Sequence, residues 1–206
     1  SYEGFDPLHG GDAGPNVVHV GPVRAPIGSS SRWERRSPDK KLVLVSLSTS
    51  DMNQSALLQR LCDACGQLDV EALVTTGPSL DSGTLTTAAN VTAVDFVDHA
   101  DVLPHADLVV THAGLGTVLA ALAHGVPMLC TPLGRDQGFN AARVAELKLG
   151  ITLDPAASTD ELREAIQSLL DNREAKRQAA EFKASLSANP GIDDALRAID
   201  RSISAT

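Results

Sequence analysis

The chain has 206 residues, enough for one ordinary domain with an appended segment, and its 43% hydrophobic and 21% charged residues are the balance of a globular protein with a sizeable core. Aromatics are only 3%, so that core is built from Leu, Val, Ile and Ala. A net charge of −9 argues against a nucleic-acid partner, whose polyanion so acidic a domain repels, and leaves any anionic ligand to be held by local features.

Residues 1–38 are rich in Gly, Pro, Ser and charge and read as a connecting segment, with one short β-like run at Val17–Val20 between Pro15 and Pro22. The start, SYEGFDPLHGG, lacks the charged-then-apolar layout of a signal peptide, and no apolar run reaches the roughly 18 residues of a membrane helix. The basic residues Arg32, Arg35, Arg36, Lys40 and Lys41 are interrupted by Glu34 and Asp39 and read as solvated linker.

The character changes at residue 39, where a domain running to 206 begins. Leu42–Val45 is a continuous apolar run of the kind a strand buried on both faces needs. Asn53–Gly66 has helical spacing and ends on a glycine placed as a cap. Ala72–Val74, Val91–Val97, Asp107–Thr111 and Pro127–Cys130 follow as strands, with helices predicted over Gly116–His124 and over Asn140–Leu149, the latter closed by Gly150. Ser158 and Glu161 have the spacing of a capping box, opening a helix with Leu162, Ile166, Leu169 and Leu170 on one face; two more helical stretches lie near 172–187 and 191–203. Strands alternating with helices predict an α/β fold with a doubly wound, Rossmann-like parallel sheet. Ligands of such sheets bind at the carboxyl ends of the strands, near the point where strand order reverses.

Cys62, Cys65 and Cys130 give an odd count, which suits a reducing cytoplasm. The Cys62–Cys65 pair invites a redox reading, yet it falls inside a helical pattern and not at a helix N-terminus, where a thiolate is stabilised; packing is the simpler role.

Three loops carry chemistry. After the fourth strand comes Thr111-His112-Ala113-Gly114-Leu115-Gly116-Thr117, whose glycines let the backbone approach a ligand and whose following helix offers free N–H donors. That combination suits a diphosphate and needs no basic side chain; a plain tight turn is the competing reading. A dinucleotide fingerprint fits worse, since Leu119 stands where a third glycine is needed, and the P-loop lysine is absent. After the fifth strand, Asp136-Gln137 could hold vicinal hydroxyls of a sugar or simply start a helix. After the first, Ser46-Leu47-Ser48-Thr49-Ser50 could face phosphate or satisfy its own turn.

The order and positions of these signals resemble the donor-binding signature of GT-B glycosyltransferases that use UDP- or dTDP-sugars. HAGLGT at 112–117, GVPML at 125–129, Pro132 with Asp136-Gln137, and Asn140-Ala141 with Glu146-Leu147 and Leu149-Gly150 match consecutive parts of that signature, and VSLSTSDMNQ at 45–54 is similar to the first loop of its antibiotic-decorating branch. GPNVVHVGPV at 14–23 is similar to the family's interdomain connection, so residues 15–203 are covered. The resemblance implies that the chain is the C-terminal, donor-binding half. It places His112, Gly114, Gly116 and Thr117 on the diphosphate with Ser48 and Thr49 beside them, Phe96 and Val97 on the base, and Asp136 and Gln137 on the sugar. Val97-Asp98-His99 departs from the Val-Pro-Gln of many relatives.

The family's reaction moves a glycosyl unit to an acceptor hydroxyl, usually with inversion and without a metal or other cofactor; the chain has no Asp-x-Asp element. The base belongs to the other half, through which a small-molecule acceptor would enter. His9, His19, His99, His105 and His124 read as structural or solvent-facing, so the chain is expected to bind donor nucleotide without turning it over. Three other readings stay open: a GT-B enzyme with cell-wall or lipid-linked acceptors, a stand-alone nucleotide-binding module partnering a separate acceptor half, and a dehydrogenase-like dinucleotide domain.

Overall fold

A computed structural model describes Gly4, Phe5, residues 33–187 and residues 191–204. Val17–Val20, His9 and His19 lie outside the described residues. Six strands, β1 (Lys41–Ser46), β2 (Val70–Thr75), β3 (Val91–Val94), β4 (Leu108–Thr111), β5 (Met128–Cys130) and β6 (Gly150–Thr152), form one sheet in the order β3-β2-β1-β4-β5-β6, every pair parallel. The order reverses between β1 and β4, whose register pairs Ser46 with Thr111 at the carboxyl ends.

Both faces of the sheet are covered, which is why its strands read as unbroken apolar runs. Along β1 the side chains alternate. Val43 and Val45 pack on one face against α1 (Ser55–Gly66) and α5 (Thr159–Asp171), through Leu57, Leu58, Leu61, Ile166 and Leu169. Leu42 and Leu44 pack on the other, where α2 (His99–Val102), α3 (Leu115–His124), α4 (Gln137–Glu146) and α6 (Arg173–Ser187) contribute Val102, Val118, Leu122, Val144 and Leu186. Full burial of each such side chain stabilises the fold by about 1.5–3 kcal/mol. Ser158 accepts from Glu161 N while Glu161 Oε2 accepts from Ser158 N, so the expected capping box opens α5. Among the described residues, Phe5 is buried with the second face and its carbonyl accepts from Arg143 Nε at 2.8 Å. The last helix, α7 (Gly191–Ser204), presents Ile192, Leu196, Ile199 and Ile203 outward, each more than half exposed.

Three expectations need correction. The predicted Asn140–Leu149 helix lies at Gln137–Glu146, and Gly150 begins β6. A Cβ at Gly150 would lie 1.8 Å from the Met128 carbonyl oxygen, so this glycine exists to let two strands meet. The third strand stops at Val94, and residues 95–97 turn across the end of the sheet. Gly66 is the last residue of α1, not its cap: a Cβ there would come within 2.9 Å of Ala88 Cβ. Cys62, Cys65 and Cys130 are unpaired and buried, and burial pushes their thiols up to about 11, 12 and 12, in keeping with packing over redox chemistry.

Candidate functional site

The β1/β4 reversal opens a cavity of about 440 Å³. Its floor is the end of β1 and the loop after it, Ser46 to Ser50; one wall is residues 95–99 and the other is the β4–α3 loop with the first turn of α3. Ser48, Thr49, Phe96, Val97, His112, Gly114, Gly116 and Thr117, all expected at the site, line it. Ser48 is buried, and its Oγ accepts from Ser50 N at 3.2 Å, while Thr49 is exposed. Phe96 stands 75% exposed at the rim, a ring with one free face, whereas Val97 is buried in the wall.

The loop before α3 is wound for close approach. Ala113 has φ +64°, a left-handed conformation a non-glycine residue holds only when its surroundings fix it. They do so twice: Ala113 N donates to Thr111 Oγ1 at 3.2 Å, and Asn140 Nδ2 donates to the Ala113 carbonyl at 3.0 Å. Gly114 is the N-cap of α3 without a capping side chain, so the amides of Leu115, Gly116 and Thr117, all three lining residues, have no intrahelical acceptor. A Cβ at Gly114 would lie 2.6 Å from His112 Nε2, whereas one at Gly116 would meet nothing within 4 Å. The first glycine seats the imidazole; the second leaves space for a ligand. Among the described residues His112 Nδ1 is buried without a hydrogen-bond partner of good geometry, and burial holds the His112 pKa below its usual value, with the Asp136 charge and the Ser46 backbone opposing.

Several lining residues were not expected. His99 was read as structural or solvent-facing; it lines the cavity, with Nε2 3.0 Å from Ser46 Oγ. Its pKa is lowered, first by burial and then by His124, with Asp98 opposing. Asp95 and Asp98 also line the cavity, the former accepting from Ser82 N at 3.0 Å and the latter capping α2 through Ala100 N at 2.9 Å. Gly77, at φ +73°, brings the β2 loop against Thr49. Among the described residues Arg135 is the only Lys or Arg of the lining.

Asp136 and Gln137 lie just behind the lining, at the start of α4. Asp136 is exposed, and its Oδ2 accepts from Asn140 Nδ2 at 3.0 Å. Gln137 is 3% exposed; its Oε1 accepts from Leu133 N and Gly134 N at 2.7 and 3.0 Å, and Nε2 sits 3.4 Å from Met52 Sδ. The amide of Gln137 thus winds its own loop.

A doubly wound sheet with an anion-suited helix terminus at its reversal point is the architecture of the C-terminal half of GT-B glycosyltransferases, and the structural neighbours are of that kind. The chain belongs to the family described as erythromycin biosynthesis protein CIII-like, C-terminal domain, which matches residues 59–199. It is 36% identical over 143 residues to demethyllactenocin mycarosyltransferase of Streptomyces fradiae, covering 69% of this chain and 31% of that protein. The kitacinnamycin glycosyltransferase superimposes with a TM-score of 0.81 at 29% identity, covering 88% of this chain and 48% of that one. For the glycosyltransferase VinC the values are 0.68 and 26%, over 88% and 46%. The chain therefore spans from under a third to about half the length of these proteins. Among the described residues, no helix is long and apolar enough to cross a membrane.

Proposed function

We propose that this domain binds the donor of a sugar transfer, a UDP- or dTDP-sugar, and that in the whole protein the sugar passes with inversion to a hydroxyl of a small natural product. The observation that carries the reading is the amino end of α3, set in the cavity at the strand reversal with three free amides and an open glycine position. A diphosphate there meets fixed N–H dipoles, and those dipoles grow in value as charge develops on the departing phosphate. This supplies the stabilisation without a metal. Ser48 and Thr49 border the same space, and Thr117 adds a hydroxyl. VinC was solved in complex with dTDP, which supports a pyrimidine diphosphate as ligand. Phe96, exposed on the rim, offers a ring to the base, and Asp136 and Gln137 are assigned to the sugar hydroxyls, the exposed Asp136 carboxylate being the freer of the two.

The base that would deprotonate the acceptor is assigned to another part of the enzyme. His112 and His99 are half-buried in the donor cavity, where a leaving diphosphate, not an acceptor hydroxyl, is expected. The chain alone then binds nucleotide and does not turn over. The unpaired thiols suit a cytoplasmic setting.

Metal-free calorimetric titration with UDP and dTDP, using ADP and NAD as controls, tests the reading. Selective binding of a pyrimidine diphosphate is expected. Preference for NAD, or sugar transfer catalysed by these 206 residues, overturns it.

A further inference from the structure

The donor cavity sits in a protein of net charge −9, and its own lining brings two carboxylates, Asp95 and Asp98. Helix amides alone would have to hold a dianionic or trianionic ligand against that field. Among the described residues one fixed positive charge stands in the lining, Arg135, and its backbone and surroundings are unusual. Arg135 has φ +56° and follows Gly134 at φ +151°. A left-handed residue with a Cβ costs of the order of 1–2 kcal/mol, and glycine is the ordinary occupant of such a position. The turn is held in this form by Gln137, whose Oε1 accepts from the amides of both Leu133 and Gly134 and whose Nε2 lies 3.4 Å from Met52 Sδ.

The neighbouring carboxylate does not neutralise Arg135. Asp136 Oδ2 is engaged by Asn140 Nδ2 at 3.0 Å, and among the described residues Arg135 makes no ion pair within 4.0 Å. Its charge instead reaches His112 on the other wall, where it disfavours the imidazolium. The loop after β4 and the loop after β5 thus face each other with a neutral imidazole and α3's amides on one side and an unpaired guanidinium on the other.

We propose that Arg135 is a binding residue for the terminal, sugar-bearing phosphate of the donor, closing on it opposite the amino end of α3, and that Gln137 is the positioning residue that winds the turn to aim it. The proposal rests on the donor-site reading above. A guanidinium offers a planar pair of N–H donors to two oxygens of one phosphate, geometry that scattered amides do not provide. It also assigns Gln137 a reason to be buried that a sugar contact through Nε2 alone does not supply.

The test compares the 206-residue chain with R135Q, R135K and R135G, titrating dTDP and UDP against the corresponding monophosphates at low and high salt. Arg135 is exposed and its backbone is left-handed, so R135G is expected to melt no lower than the wild type. R135Q and R135G should bind the diphosphate about tenfold to a hundredfold more weakly, the range for a lost hydrogen bond to a charged group, while the monophosphates change little. R135K should recover part of the loss at low salt and little of it at high salt. Q137A should weaken the diphosphate in the same selective way. If the wild type binds dTDP or UDP and R135Q binds equally well, Arg135 has no such role, though the donor-site reading stands. If R135Q and R135G lose monophosphate and diphosphate alike, the arginine merely shapes the loop and the proposal fails. If the wild type binds no pyrimidine diphosphate, the donor-site reading and this inference fall together.

Discussion

Replacing Asn140 tests the idea that one buried amide holds the β4–α3 loop in its left-handed form. Asn140 is 3% exposed and Nδ2 donates twice, to the Ala113 carbonyl and to Asp136 Oδ2, each at 3.0 Å. In N140A the Ala113 carbonyl loses its side-chain donor in a buried position, a cost of about 1–3 kcal/mol. The bond to Asp136 is largely replaced by water because that carboxylate is exposed, so the total should be about 2–3 kcal/mol. For a domain of this size that is a fall in Tm of roughly 4–12 °C, read by thermal and urea unfolding. N140D should be worse at neutral pH, since it sets an acceptor against a carbonyl and a second carboxylate, and it should recover as acid protonates the new group. A113G should soften the loss in N140A, because glycine holds φ +64° without strain. An N140A variant that melts like the wild type would refute this account of the loop, as would an N140D variant no worse than N140A.

Two glycines should separate stability from binding. G116A puts a methyl into open space in the first turn of α3, so the fold should hold or gain up to about 1 kcal/mol, while dTDP or UDP affinity falls at least severalfold; titration and melting on one sample check both. G150A forces a Cβ onto the Met128 carbonyl at 1.8 Å and should cost more than about 3 kcal/mol or leave no soluble protein, seen in expression and circular dichroism. His99 and His112 both have folded pKa values below the unfolded one, so the unfolded chain takes up protons first as pH falls. Stability should therefore be full above about pH 7 and decline as pH drops below the unfolded histidine value near 6.5; the urea midpoint followed between pH 8 and 5 reads this, and H99N should flatten the slope.

What the sequence made legible follows from how far each signal reaches. β1, β2, β4 and β5 were visible because strands covered on both faces are unbroken apolar runs, and α5 because its capping box is a local chemical fact. β6 was missed because it is three residues long, buried only at Gly150, and begins with the residue type that ends helices. The eight residues expected on the base and diphosphate fall together around one cavity because glycine loops at strand ends are local too. His99 escaped notice because its place depends on topology: the turn after β3 is carried over the end of β1, two strands away. Arg135 and the buried side chain of Gln137 escaped because both depend on the handedness of residues 134 and 135, which no spacing announces.

The strand order also governs how the molecule must assemble. β1, β2 and β3 pair with strands close by in the chain, and so do β4, β5 and β6, but the two triplets meet only along the β1–β4 seam, where Val43 pairs with Leu108. The cavity is lined by the loops after β1, β2 and β3 from one triplet and by those after β4 and β5 from the other. A chain with either triplet formed alone therefore has half a cavity. Binding of the proposed donor would then report the finished sheet, and by mass action would favour that state over each partial one. The seam, being the longest loop closure between paired strands, is the sheet-forming step that should limit the rate of folding.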